Sequence, residues 1–237
     1  MLFLEVVLMK YPLKYFSVTE ILLWSLSAVS VIAAFLIFDP TSHLTLIASL
    51  IGITSLILCA KGNPIGQLLM VAFSLLYGII SFGFAYYGEM ITYLGMSMPM
   101  AVLALISWLK NPYNGNRSQV KVNTLDKKEY IFMLALTLAV TVIFYFILDA
   151  FKTANILPST VSVTTSFIAV YLTFRRSPYF ALAYAANDVI LIILWTLASL
   201  EQTKYVSVTV CFAAFLVNDL YGFVSWQKMK LRQALNK

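Results

Sequence analysis

Two Asn-Asp pairs lie inside otherwise apolar sequence: Asn187-Asp188 in LAYAANDVILIILW (182–195) and Asn218-Asp219 in FLVNDLYGFVSW (215–226). An asparagine amide both donates and accepts hydrogen bonds. On a 3.6-residue helix, positions 184, 187, 188, 191 and 195 share a face, so Tyr184, Asn187, Asp188 and Trp195 line up together. In the second stretch, 211, 215, 218, 222 and 225 form a stripe, with Asp219 and Tyr221 beside it. Amides next to flat aromatic faces suit a polar, ring-containing solute, including a cationic ring. The same groups also serve as hydrogen-bonding glue between helices, at about 0.6 kcal/mol each. A carboxylate near a bilayer centre costs about 2.5–3.5 kcal/mol, so Asp188 needs a reason to be there. It either neutralises a cationic ring or locks helices together, and the sequence leaves both open, as it does for Asp219. Gln67 lies near the end of its helix, where it either reaches the inner part of a cavity or caps at the interface.

Other chemistry is poorly supplied. The single histidine, His43, falls in a short loop, and Cys59 and Cys211 both lie in apolar runs. There is no metal-ligand spacing, no disulfide framework and no nucleophile paired with a base. The expectation is a protein without metal or cofactor, and not an enzyme.

The elements that must position these residues are membrane helices. Of 237 residues, 61% are hydrophobic and only 11% charged, about half the charge of a soluble domain. Apolar runs of about 17–22 residues, long enough to cross a bilayer, fall near 19–38, 43–60, 66–87, 91–109, 130–150, 157–174, 178–199 and 205–226. These predict an all-α integral membrane protein with eight transmembrane helices. Alternate connections carry fourteen lysines and arginines against two, Lys152 and Lys204, on the other side. The positive-inside rule then puts both termini in the cytoplasm. The net charge of +6 is explained by that bias and needs no nucleic-acid partner. Residues 1–18 lack a cleavage site and read as an interfacial segment. Pro99, in GMSMPMA, is the only proline well inside a span and predicts a kink, a candidate gate or hinge.

The chain also repeats itself. KGNP (61–64) and RRSP (175–178) each open a helical pair with an acidic tight turn, Glu89 or Glu201, and close it on Ser-Trp, at 107–108 or 225–226. One further span precedes each pair. The expected plan is one N-terminal helix plus a 3+1+3 arrangement of two parallel three-helix bundles. Its divisions are 1–42 (interfacial segment and extra helix), 43–109 (first bundle), 110–156 (linker and connecting helix), 157–226 (second bundle) and 227–237 (basic tail). Parallel repeats around an axis along the membrane normal are a transporter architecture, with solute held near the midplane.

The residues NPIGQ (63–67), YYGEM (86–90), SWLKNPY (107–113), ANDVILIILW (186–195) and FLVNDLYGFVSW (215–226) complete a resemblance to the PnuC family of bacterial vitamin transporters. It covers about residues 40–230, and the plan is shared with the SWEET and SemiSWEET sugar carriers. The resemblance implies uptake of nicotinamide riboside, a cationic pyridinium nucleoside, by facilitated diffusion across the bacterial plasma membrane for NAD synthesis. It implies a cytoplasmic kinase that traps the solute by phosphorylation, and a homotrimer. It also implies binding by amides and a tryptophan on spans three, seven and eight, which carries over to Gln67, Asn187 and Asn218. Where better-known members have that tryptophan, this chain has Tyr184 or an alanine, so Tyr184, Trp195 and Tyr221 are the stacking candidates. Relatives within the resemblance carry thiamine or deoxyribonucleosides. The second reading is therefore a carrier of such a solute, with proton coupling through Asp188 or Asp219.

Overall fold

The computed structural model describes residues 15–83, 86–153 and 155–236. The proposed interfacial segment lies almost wholly outside them. Among the described residues, eight helices are long and apolar enough to cross a membrane: α1 Val18–Phe38, α2 His43–Ala60, α3 Pro64–Gly83, α4 Tyr87–Lys110, α5 Lys127–Ala150, α6 Ile156–Phe174, α7 Phe180–Glu201 and α8 Val206–Leu235. Their starts follow local chemistry. At α1 the Ser17 hydroxyl accepts from the Glu20 amide (3.2 Å) while the Glu20 carboxylate accepts from the Ser17 amide (2.7 Å), a reciprocal capping box. At α5 the Asp126 carboxylate caps the Glu129 amide at 2.8 Å.

α4 is interrupted. Residues Tyr93–Ser97 form a π-turn, and the α-helix resumes at Met98 with Pro99 in its first turn. Proline has no amide hydrogen to give and its ring crowds the preceding turn, so the wide turn sits directly before it. α8 also departs from expectation. It runs on to Leu235, so residues 227–235, read as a tail, are helix. The linker holds a two-stranded antiparallel hairpin, β1 Pro112–Tyr113 and β2 Asn116–Val120, which the sequence reading did not contain. We call this the hairpin end of the bundle and the opposite side the far end.

α3 packs between α2 and α4, and α7 packs between α6 and α8. The two groups meet where α2 packs on α8 and α4 packs on α6. α1 lies against α2 and α8, and α5 lies mainly against α6. α5 leaves Ile131, Phe132, Leu138, Ile143 and Phe146 uncovered, as a lipid-facing helix does.

The two basic turns are built alike. Gly62, at φ 70°, ends α2 in the left-handed region, and the Asn63 amide reaches back to the Leu58 carbonyl at 3.0 Å. Arg176, at φ 56°, ends α6 in that same region, and the Ser177 amide reaches back to Leu172 at 2.9 Å. Both are Schellman-type closures, followed by Pro64 or Pro178. The hairpin bridges them: the Val120 amide donates to Gly62 O (2.9 Å) and the Asn123 amide to Arg176 O (3.0 Å).

Candidate functional site

At the centre of the bundle is an enclosed cavity of about 40 Å³. That holds a few waters, since each needs about 10–15 Å³, and is far below the ~300 Å³ of a small-molecule site. Its polar lining is Asn187, Asp188 and Tyr184 from α7, Asp219 from α8, Ser166 from α6, Ser74 from α3, and Tyr93 and Ser97 from α4. Phe73, Phe212, Phe215, Leu56, Met70 and Leu191 complete the wall. Among the described residues, no lysine or arginine lines it.

Asn187 is oriented from behind. Its side-chain carbonyl accepts from three α6 hydroxyls, Thr165 (2.8 Å), Ser166 (3.0 Å) and Ser162 (3.3 Å). That occupies the acceptor and leaves the amide nitrogen to face the cavity. The hydroxyl-rich start of span six, LPSTVSVTTS, reads from sequence as close packing; its additional effect is to fix this asparagine. Asp188 and Asp219, on neighbouring helices, come within hydrogen-bonding reach of each other. Both are buried, and Asp188 Oδ2 has no partner. Phe215 reaches the wall by lying on the α2 backbone. A Cβ on Gly52 would come within 2.3 Å of its ring tip, closer than real Cβ contacts allow.

The cavity is closed at both ends by aromatic rings. Toward the hairpin end, Trp108 and Trp226 stack 5.3 Å apart, with Phe180 at 4.9 Å from Trp226. Toward the far end, Trp195 packs against Tyr86 (5.0 Å), Tyr205 (5.5 Å) and Tyr77 (6.2 Å).

Of the residues singled out from sequence, Tyr184, Asn187, Asp188 and Asp219 meet at this cavity. The others are placed elsewhere. Gln67 is buried, but its amide donates to Cys59 Sγ at 3.1 Å. Asn218 faces α1, donating to Ser27 Oγ (2.9 Å) and to the Ala214 carbonyl (2.7 Å). Tyr221 donates to Glu20 at 3.1 Å, in a cluster where Lys61 also binds Glu20 at 3.1 Å. Trp195 belongs to the far-end lid, about 10 Å above Asp188 at 1.5 Å per residue. Pro99 follows the π-turn whose first and last residues, Tyr93 and Ser97, touch the cavity. The aromatic walls Phe73, Phe212 and Phe215 were missed, because in uniformly apolar helices one phenylalanine resembles another. No group of three or more metal-ligating side chains occurs among the described residues.

Fold and site together define a multi-pass membrane protein with a small central cavity whose wall combines carboxyl, amide and hydroxyl groups with aromatic rings. Residues 42–228 match the family model described as nicotinamide mononucleotide transporter, and the chain belongs to that family of transporters. Among curated proteins it is similar to the nicotinamide riboside transporter PnuC of Neisseria mucosa, with 24% identity over 216 residues, 89% of this chain and 82% of that one. It is likewise similar to the nicotinamide riboside transporter PnuC of Haemophilus influenzae, with 24% identity over 195 residues, 81% of this chain and 83% of that one. A crystal structure of the vitamin B3 transporter PnuC has the same fold, with a TM-score of 0.80 at 22% identity over 92% of this chain and 94% of that one.

Proposed function

We propose that this chain imports nicotinamide riboside by facilitated diffusion across the bacterial plasma membrane, for NAD synthesis. The observation that carries the choice of solute is which groups line the cavity. The family description points to the mononucleotide and the named relatives to the riboside. A phosphate needs cationic or multiple N–H partners, and the lining, among the described residues, offers two carboxyl groups and no basic side chain. A pyridinium ring without phosphate suits that lining: carboxyls for its charge, aromatic faces for its plane, and Asn187 with the hydroxyls for amide and ribose.

In this reading the hairpin end faces the cytoplasm, because lysine and arginine concentrate there. Both termini are then cytoplasmic. The two helix triplets act as parallel repeats that rock about the cavity, and Pro99 with its π-turn serves as the hinge. A cavity of about 40 Å³ must expand severalfold to hold the solute, so the enclosed form is one stage of an alternating cycle. A cytoplasmic kinase consumes the imported riboside and keeps uptake downhill. Three copies assemble through lipid-facing surfaces such as that of α5.

Calorimetry with the purified chain tests the solute. Binding of nicotinamide riboside, with no binding of nicotinamide mononucleotide, thiamine or thymidine, is the expected result; preferred binding of the mononucleotide overturns it. The Asp188–Asp219 contact favours a second reading, in which the pair exchanges a proton during transport. Uptake into liposomes with and without a proton gradient separates the two, since accumulation above equilibrium without a kinase requires coupling.

A further inference from the structure

Another buried acid lies outside the cavity and has no role so far. Glu89, in the first turn of α4 at the far end, is 2% exposed, and its Oε2 has no hydrogen-bond partner. Tyr77 and Tyr93 lie within electrostatic range of it, and Tyr93 follows it by one helical turn. Those two rings stand 4.5 Å apart, and the Tyr77 hydroxyl is also buried without a partner. Trp195 packs edge-on against Tyr77, and its Nε1 closes no hydrogen bond of normal geometry.

Glu89, Tyr93 and Ser97 follow at four-residue steps down α4, so they form a column on one face. Its lower two members line the cavity. Tyr93 is in electrostatic reach of both Glu89 and Asp188, which makes it the link between the far-end acid and the central pair. The hairpin end is different. There both tryptophan Nε1 groups and both Ser-Trp hydroxyls are hydrogen-bonded. Unsatisfied buried polar groups are costly, and along this path they gather on the far side of the cavity.

We propose that Glu89, with the faces of Tyr77 and Tyr93, is a separate binding station for a flat monocation such as a pyridinium, occupied before the solute reaches Asp188 and Asp219. This rests on the functional reading above, which makes the far end the outer one. A carboxylate within a low-dielectric aromatic cluster that loosens as the carrier opens focuses its field on a cation and raises local concentration, and the rings add cation–π attraction. The station then selects for charge before the central site selects for shape.

The test compares nicotinamide riboside with its uncharged dihydropyridine form, which has nearly the same shape. Initial uptake of each is measured in cells that lack riboside uptake and express the full chain. Glu89→Gln is expected to raise the half-saturation concentration for the charged form about tenfold, at the low end of what field focusing supplies. Its maximal rate and the uptake of the uncharged form should stay within about twofold of wild type, inside that same focusing estimate. Equal loss for both forms, or no loss for either, overturns the proposal. Tyr77→Leu, which removes one ring face, should lower the preference for the charged form in the same direction. An unchanged preference in that variant overturns the proposal even where Glu89→Gln does not reach the membrane. A wild-type chain that takes up neither form instead overturns the functional reading, and the station falls with it.

Discussion

Trp108 and Trp226 meet ring to ring at 5.3 Å, and each ties its own helix to the opposite triplet. Trp108 Nε1 donates to the Thr173 carbonyl (2.9 Å) and Ser107 Oγ to that of Phe174 (2.8 Å), at the end of α6. Trp226 Nε1 donates to the Cys59 carbonyl (2.8 Å) and Ser225 Oγ to that of Ala60 (2.8 Å), at the end of α2. One Ser-Trp dipeptide, used twice, closes the hairpin end from both sides. Both indoles are fully buried. Trp108→Phe and Trp226→Phe should each cost about 1–3 kcal/mol, from the lost indole hydrogen bond and the space left by the larger ring; the two carbonyls keep their backbone donors, Arg176 N–H and Gly62 N–H. The measurement is thermal or denaturant unfolding in detergent. Since the rings touch, the double variant should lose less than the sum. Strict additivity would mean the two ends act independently.

This seam was visible in the sequence as punctuation. Basic–Pro and Ser-Trp recur in order, and each has a geometric duty that does not depend on the surrounding side chains. The eight spans were equally legible, since length and apolarity suffice to define them. Directions within a span were not. Asn218 and Asp219 are adjacent, so their side chains diverge by about 100° on a helix. Asp219 borders the cavity, while Asn218 turns to Ser27 of α1. A helix apolar on every side gives no signal for which face meets a cavity and which meets another helix. The hairpin does carry a local signal, Asn114-Gly115, both at positive φ, the two-residue turn that Asn-Gly favours; what no local pattern encodes is its anchoring to Gln233 of α8.

The anchoring of Asn187 separates binding from folding. Asn187→Asp keeps an acceptor for Thr165, Ser166 and Ser162 but removes the amide donor that faces the cavity. It should lower solute affinity by at least tenfold, about 1.4 kcal/mol, with unfolding near that of wild type. Asn187→Ala should lose affinity as well and also stability, by about 1–3 kcal/mol, because it strands buried hydroxyls. Calorimetry alongside unfolding checks both. Unchanged affinity in Asn187→Asp would make this residue helix glue alone.

Gly52 sets the position of one cavity wall. A methyl group there would sit 2.3 Å from the Phe215 ring tip, so Gly52→Ala must push that ring toward the cavity or part α2 from α8. The cost should be about 1–3 kcal/mol of stability, as for other overpacked cores, together with weakened solute binding. Adding Phe215→Leu should recover much of both losses by making room. If Gly52→Ala alone binds and unfolds like wild type, the α2–α8 seam is looser than this contact implies.

Gln233 holds the hairpin to the end of α8. Its side-chain carbonyl accepts from the Val122 amide (2.8 Å) and its amide donates to the Val120 carbonyl (3.0 Å), and the residue is buried. Through β2 it also stabilises the Val120-to-Gly62 and Asn123-to-Arg176 bonds that join the two basic turns. Gln233→Leu keeps the bulk but removes both bonds and leaves two backbone groups unpaired, which should cost about 1–3 kcal/mol. Much of that loss should be local, since a strap can open without the bundle unfolding. Limited proteolysis is the sensitive measurement: cleavage within 112–126 should accelerate well before any change in the bundle's unfolding temperature. If the strap also restrains opening at this end, the same variant should transport faster, and a slower rate would mean the hairpin positions the helices instead.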